Sequence, residues 1–137
     1  MIVKPERLVI DANVLVSAVV FRAAVPWKAV IRAFETGVVL SSSATRNELR
    51  EVMKRSKFDR YAPVQLRMDA IEDIFEDMEP VNIVENIAIC RDPKDDKILE
   101  LAINGKARVV ITGDKDLLTL HPFRGVAVLT PADYLAR

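Results

Sequence analysis

Asp11 ends the run Leu8-Val9-Ile10, and Glu48 closes Thr45-Arg46-Asn47-Glu48. Asp95 and Asp96 are adjacent, and Asp114 and Asp116 flank Lys115 just after Ile111-Thr112-Gly113. Each lies where an α/β fold puts the carboxyl end of a strand or the first turn of the next helix, the edge at which open parallel sheets bind ligands. Carboxylates gathered there from distant segments repel one another. At roughly 5 Å and an effective dielectric of 20, a like-charge pair costs about 3 kcal/mol. Such a cluster persists when a cation neutralises it, and hard oxygen donors suit Mg²⁺ or Mn²⁺. The residue types therefore point to metal-assisted phosphodiester chemistry.

Each acid also has a local alternative. Asp11 could cap the helix that follows, although Asn13 could do the same. Thr45-x-x-Glu48 matches a capping box, in which the glutamate reaches back to the cap residue's N–H. Asp95 and Asp96 could simply favour a helix dipole. Asp95 shares the face of Ile98, Leu99 and Ala102, which must pack inward, so it is the ligand candidate and Asp96 the reserve. Asp114 and Asp116 could belong to a surface turn, but they pair at a strand end with the Thr112 hydroxyl nearby. His121, the one histidine, precedes a proline and reads as structural; Cys90, the one cysteine, has no histidine to activate it.

The elements that must position these groups alternate between strand and helix, which predicts a parallel sheet covered on both faces. Strands are expected at Leu8–Ile10, Val38–Leu40, Val81–Val84, Val109–Thr112 and Val126–Leu129. Helices are expected from Asn13 to Val20, from Pro26 to Gly37, from Thr45 to about Lys57, from Pro63 through Met78, from about Lys94 to Asn104, and from Ala132 to Arg137. The whole chain, 1–137, reads as one domain without repeats or linkers.

Lys+Arg and Asp+Glu both number 20, half the residues are apolar and 29% are charged, an ordinary balance for a soluble globular protein. The distribution is uneven: seven bases against three acids between Arg46 and Arg67, then six acids and no base from Asp69 to Glu79. Arg46, Arg50 and Lys54, four apart on one helix face, could track a phosphate backbone, though a solvated helix face is an equal alternative. A lone cysteine excludes an intrachain disulfide. With no signal-peptide pattern and no apolar run of membrane length, the expectation is a cytoplasmic protein without a membrane partner.

Taken in order, Asp11-x-Asn13, Glu48 in a mid-chain helix, the acidic pair before Ile98-Leu99-x-x-Ala102, and Thr112-Gly113-Asp114-Lys115-Asp116-Leu117 resemble the PIN-domain ribonucleases, above all the VapC-like toxin branch of prokaryotes. The resemblance spans about Arg7 to Leu135. It implies a three-layer α/β/α sandwich on a five-stranded parallel sheet of order 3-2-1-4-5. It also implies a Mg²⁺- or Mn²⁺-dependent endonuclease for single-stranded RNA, partnered by an antitoxin and forming a homodimer. Carried over by motif, Asp11, Glu48, Asp95 and Asp114 are the acidic quartet. Asp96 and Asp116 are further metal-ligand candidates, and Asn13 and Thr112 are supporting residues. The stretch from Ala102 to Thr112 is one residue longer than in the compact toxins, which leaves the choice between Asp95 and Asp96 open. Two other enzyme or binding classes stay in view: a haloacid dehalogenase-like phosphatase, which Asp11-x-Asn13 resembles but for the missing second acid, and a non-catalytic PIN-fold RNA-binding or assembly module. A phosphoacceptor receiver domain does not fit, because its acidic pair and acceptor stand in a different order.

Overall fold

The computed structural model describes residues 4–137. Five parallel strands form one sheet in the order β3-β2-β1-β4-β5: β1 (Glu6–Ile10), β2 (Gly37–Ser41), β3 (Glu79–Pro80), β4 (Val109–Ile111) and β5 (Ala127–Leu129). The helices are α1 (Ala12–Val19), α2 (Ala24–Thr36), α3 (Ser43–Met53), α4 (Val64–Glu76), α5 (Asp96–Asn104), α6 (Lys115–Leu118) and α7 (Pro131–Leu135).

Side chains alternate across each strand, and this divides the core in two. Leu8, Ile10, Val39, Val109 and Ile111 face α1–α4 and α7, where Leu15, Ala33, Leu49, Ile71 and Tyr134 meet them. Val9, Leu40, Val110 and Val128 face the other way, onto Ile98, Leu99, Leu101 and Ala102 of α5 and Leu117 of α6. Strands buried on both faces explain the near-continuous apolar runs in the sequence. The three layers and the strand order match the expected fold. Gly37 lets β2 lie close to β1, since a Cβ there would stand 2.6 Å from the Glu6 carbonyl oxygen.

Three elements differ from the sequence reading. The third strand is two residues long and lies earlier than Val81–Val84. Pro80 offers no N–H, and after Val81 N–H donates to the Ser41 carbonyl (2.8 Å) the chain leaves the sheet. The Asn104 side chain takes over the ladder's role, accepting from Val84 N–H and Glu85 N–H, both at 2.9 Å. Helix α3 begins earlier, because Ser42 is its cap: Ser42 and Thr45 exchange side-chain-to-backbone bonds in a capping box, at 2.9 and 3.2 Å. Its expected continuation to Lys57 stops at Met53, whose carbonyl accepts from Arg67 Nε at 2.8 Å in place of a helical N–H. Helix α6, read from the sequence as a turn, is a single helical turn capped by Asp114.

Arg67, counted above among the surface bases, is only 3% exposed. Its guanidinium also binds the carbonyls of Ala62 and Arg55 and lies 3.0 Å from Asp59, so it ties the α3–α4 connection to α4. Arg67→Met would leave these carbonyls without a donor and should cost about 2–4 kcal/mol. Urea unfolding should show the loss as a lower midpoint at unchanged slope; an unaltered midpoint would mean the guanidinium is dispensable.

Candidate active site

Strand β1 delivers Asp11 to the carboxyl edge at the centre of the sheet, with Ile10 paired to Ile111 of β4. Asp11 N–H donates to the Ile111 carbonyl (2.9 Å), and the residue is 6% exposed. It occupies the cap position of α1, yet its side chain makes no capping bond. Its Oδ2 accepts instead from the Thr112 hydroxyl at 2.7 Å. That hydroxyl, fully buried, accepts in turn from Asp114 N–H at 3.0 Å. Thr112 thus joins two of the four acids. Asn13 is exposed within the first turn of α1 and does not cap it, contrary to the alternative raised from the sequence.

Asp114 spends one oxygen on capping α6, where Oδ1 accepts from Asp116 N–H (2.8 Å) and Leu117 N–H (3.1 Å). Glu48 lies one turn beyond the Ser42–Thr45 box, so the Thr45-x-x-Glu48 capping reading is overturned and its carboxylate is left for other work. One of its oxygens accepts from Lys97 of α5.

The adjacent acids on α5 separate cleanly. Asp96 Oδ1 accepts from Cys90 N–H (2.9 Å) and Ile89 N–H (3.2 Å), which hold its carboxyl below the usual range. It anchors the preceding loop and is turned away from the other acids. Asp95, whose side chain makes no capping bond, is pushed up to about 6. Burial is the largest cause, followed by the charges of Asp114, Asp92, Asp11 and Glu48. Asp11 is raised too, by burial first and then, against the pull of the Thr112 hydroxyl, by Glu48 and Asp114. The four segments therefore place Asp11, Glu48, Asp95 and Asp114 in one mutually repulsive field. Asp116 is exposed and lies beside Asp95, Cys90 and Leu120 in a cleft of about 380 Å³.

Two charged neighbours escaped the sequence reading. Asp92 caps the short 3₁₀ turn Pro93–Asp95, with Oδ1 accepting from Lys94 N–H at 3.0 Å, and adds to the field at Asp95. Its only signal was an Asp before a proline. Lys97 carried none, since its partner lies forty-nine residues away.

Among the described residues, no three Asp, Glu, His or Cys side chains form a ready-made ligand cage. The donor chemistry nevertheless fits a hard divalent cation: carboxylate oxygens from a buried Asp11 and part-buried Glu48, Asp95 and Asp114, with Lys97 as the one base ion-paired to them among the described residues. An ion held here would draw its oxygens from Asp11, Asp95, Asp114 and Glu48. Neither other nucleophile competes. His121 Nδ1 accepts from Val128 N–H at 2.9 Å, and the Cys90 thiol is pushed up to about 12, by burial and then by the Asp96, Asp95 and Asp114 carboxylates.

The basic face of α3 is less open than its spacing implied. Arg46 Nε donates to Ser41 Oγ (2.8 Å), and Arg50 Nε pairs with Glu72 Oε1 of α4 at 2.7 Å. Both guanidinium groups lie over the Phe75 ring. Lys54 stands 3.8 Å from Glu51 and is 57% exposed. One ion pair, Arg50–Glu72, thus joins the basic and acidic halves of the polarised stretch across α3 and α4.

The family model described as "PIN domain" matches residues 7–116. This chain belongs to the PIN-domain family. An uncharacterized protein of Methanocaldococcus jannaschii, MJ1680, is 32% identical over 117 residues, covering 84% of this chain and 75% of that protein. Among solved structures, a chain of VapBC2 from Rickettsia felis, bound to a DNA fragment from its promoter, aligns with a TM-score of 0.62 at 14% identity. That alignment covers 89% of this chain and 96% of the other. A chain of VapBC-1 from nontypeable Haemophilus influenzae gives a TM-score of 0.62 at 15% identity, over 92% of this chain and 98% of that one. At such identities the likeness is one of fold. No single helix among the described residues is long and apolar enough to cross a membrane.

The field around Asp95 has a measurable sign. A carboxyl raised in the folded state takes up protons on folding, so its cost is absent below the unfolded value near 3.8 and grows as pH rises to about 6. In EDTA, Asp95→Asn should therefore be more stable than the parent above pH 6, by about 1–2 kcal/mol after solvent screening. The advantage should vanish near pH 4. Thermal melts across that range decide it, and a constant difference at all pH values would contradict the shared field.

Proposed function

We propose that this chain is a divalent-metal-dependent endoribonuclease that cleaves single-stranded RNA, acting as the toxin of a toxin–antitoxin pair. One observation carries the catalytic part: Asp11, Glu48, Asp95 and Asp114, from four separate segments, press on one another at the carboxyl edge of the sheet. Family membership supports the same reading, with 1–137 as a single PIN domain. The partner part rests on fold likeness to two structures, both described as VapBC assemblies. We assign it, on the same footing, to the cytoplasm and to a homodimer, for which light scattering should give twice the chain mass.

Held by these carboxylates, Mg²⁺ or Mn²⁺ would lower the pKa of a water and offset charge on the phosphate. The chain's own groups do the rest. Asp11, Asp95 and Asp114 present the oxygens that would hold the ion, and Glu48 completes the set from α3. Thr112 fixes the rotation of Asp11 and sets the Asp114 backbone, so two ligands share one support. Asp116 stands in the cleft next to Asp95, where it can act as an outer ligand. Asn13, exposed in the first turn of α1, would serve as a supporting residue toward substrate. Arg46 and Arg50 would have to leave their partners to touch RNA, whereas Lys54 can meet a phosphate at little cost.

Purified protein should cut labelled single-stranded RNA with Mn²⁺, leave 5′-phosphate and 3′-hydroxyl ends, and stop in EDTA. Asp114→Asn should lower the rate by about 100-fold, and Thr112→Val by about 10- to 100-fold. Mn²⁺ should raise the melting temperature of the parent but not of Asp11→Asn. Cleavage that survives EDTA, or cyclic-phosphate products, would overturn the mechanism.

A further inference from the structure

Lys97 lies in the first turn of α5, two residues past Asp95, and its Nζ donates to Glu48 Oε2 across the gap to α3. The two side chains are 22% and 28% exposed, so the pair is more sheltered than most ion pairs of this molecule. The other pairs are Arg7–Glu79, Arg50–Glu72, Lys54–Glu51, Arg67–Asp59, Arg124–Glu85 and Arg137–Glu6. Among the described residues, Lys97 is thus the only base ion-paired with any member of the acidic quartet. The neighbouring charges felt by Asp11 and Asp95 are all negative. One carboxylate of four is compensated from within the chain, by a base from the helix layer on the other face of the sheet.

We propose that Lys97 is a built-in counter-ion that competes with the divalent cation for Glu48. The inference rests on the metal reading above. Without the ion, the ammonium neutralises Glu48 and links α3 to α5 on opposite faces of the sheet. A divalent ion brings twice the charge and recruits Glu48 to the set held by Asp11, Asp95 and Asp114. A lysine suits this exchange, because its compact charge rides on a flexible stem and makes no two-pronged bond that must be broken. By reciprocity, the factor by which Lys97 weakens the ion is the factor by which the ion weakens the Lys97–Glu48 pair. The lysine therefore acts as a positioning residue for Glu48, and it sets the metal concentration at which the site fills.

Calorimetric titration of the full chain with Mn²⁺ alone tests this without any RNA. Lys97→Met should bind Mn²⁺ about 3- to 5-fold more tightly than the parent, the upper part of the range that a partly exposed ion pair can supply. Lys97→Arg, which keeps the pair, should stay within about twofold of the parent. In a Glu48→Gln background, adding Lys97→Met should change affinity by less than about twofold, since the competitor has nothing left to hold. Lys97→Gln serves the same purpose should the methionine variant fail to fold. Equal tightening with and without Glu48 would mean that Lys97 acts only through bulk charge, and unchanged affinity in Lys97→Met would mean that it does not compete; either overturns the proposal. A parent that binds no Mn²⁺ at all would instead remove the metal reading, and this inference with it.

Discussion

The Thr112 hydroxyl is the joint on which the acidic site depends. Parallel pairing of β1 and β4 brings Asp11 and Thr112 side by side just past Ile10 and Ile111. A hydroxyl offers one proton and two lone pairs. Here the proton goes to Asp11 and a lone pair receives Asp114 N–H, so one buried group satisfies a carboxylate and turns the chain into α6. Valine would match its shape but leave a buried acid oxygen and a backbone donor unpaired, each costing about 1–3 kcal/mol. The bond also opposes the burial that drives Asp11 toward its neutral form. The carboxylate stays usable because the sheet register supplies a donor where water cannot reach.

Around that joint, the other acids stay in place because each segment is held by a bond that does not use up the group. Asp114 caps α6 with one oxygen and keeps the second. Asp95 rides on the turn that Asp92 caps and on the loop that Asp96 ties to Cys90. Glu48 hangs from α3, whose start is fixed by Ser42 and Thr45. Neighbouring polar side chains thus carry the structural load, and the quartet is free to be electrostatically uncomfortable. The two apolar cores above and below the sheet supply the stability that this repulsion draws upon.

How much of this was legible in the sequence follows from the range of each interaction. Alternating apolar runs gave the layers and the strand order came with the family resemblance, while Asp11 and Asp114 were marked by their position directly after strands. Local competition misplaced the start of α3: Ser42-x-x-Thr45 and Thr45-x-x-Glu48 both resemble caps, and only the backbone path shows which one forms. The choice between Asp95 and Asp96 depended on the returning Ile89–Cys90 loop, which no periodicity encodes. Burial of Arg67 and the Arg50–Glu72 pair are likewise contacts between helices, so a run of bases that reads as an RNA-facing stripe is largely spent inside the fold. The third strand was misjudged because Val81–Val84 has strand-forming side chains, but Pro80 and the Asn104 amide end the ladder first.

The charge balance of the whole chain sharpens what is unusual at the sheet edge. Acids and bases are equal in number, at 20 each, so no shortage of cations forces carboxylates to go without partners. Away from the site, six ion pairs form among the described residues, one of them joining Arg50 of α3 to Glu72 of the acid-rich helix α4. Among the described residues, only Glu48 of the quartet receives a base, while Asp11 and Asp95, both raised, receive none. A fold with bases to spare has left Asp11 and Asp95 without one, and has given Glu48 the single charge of one lysine. That arrangement is stable only at a cost, which a cation bound there would offset. The repulsion among these carboxylates is therefore free energy on which the binding of an ion would draw.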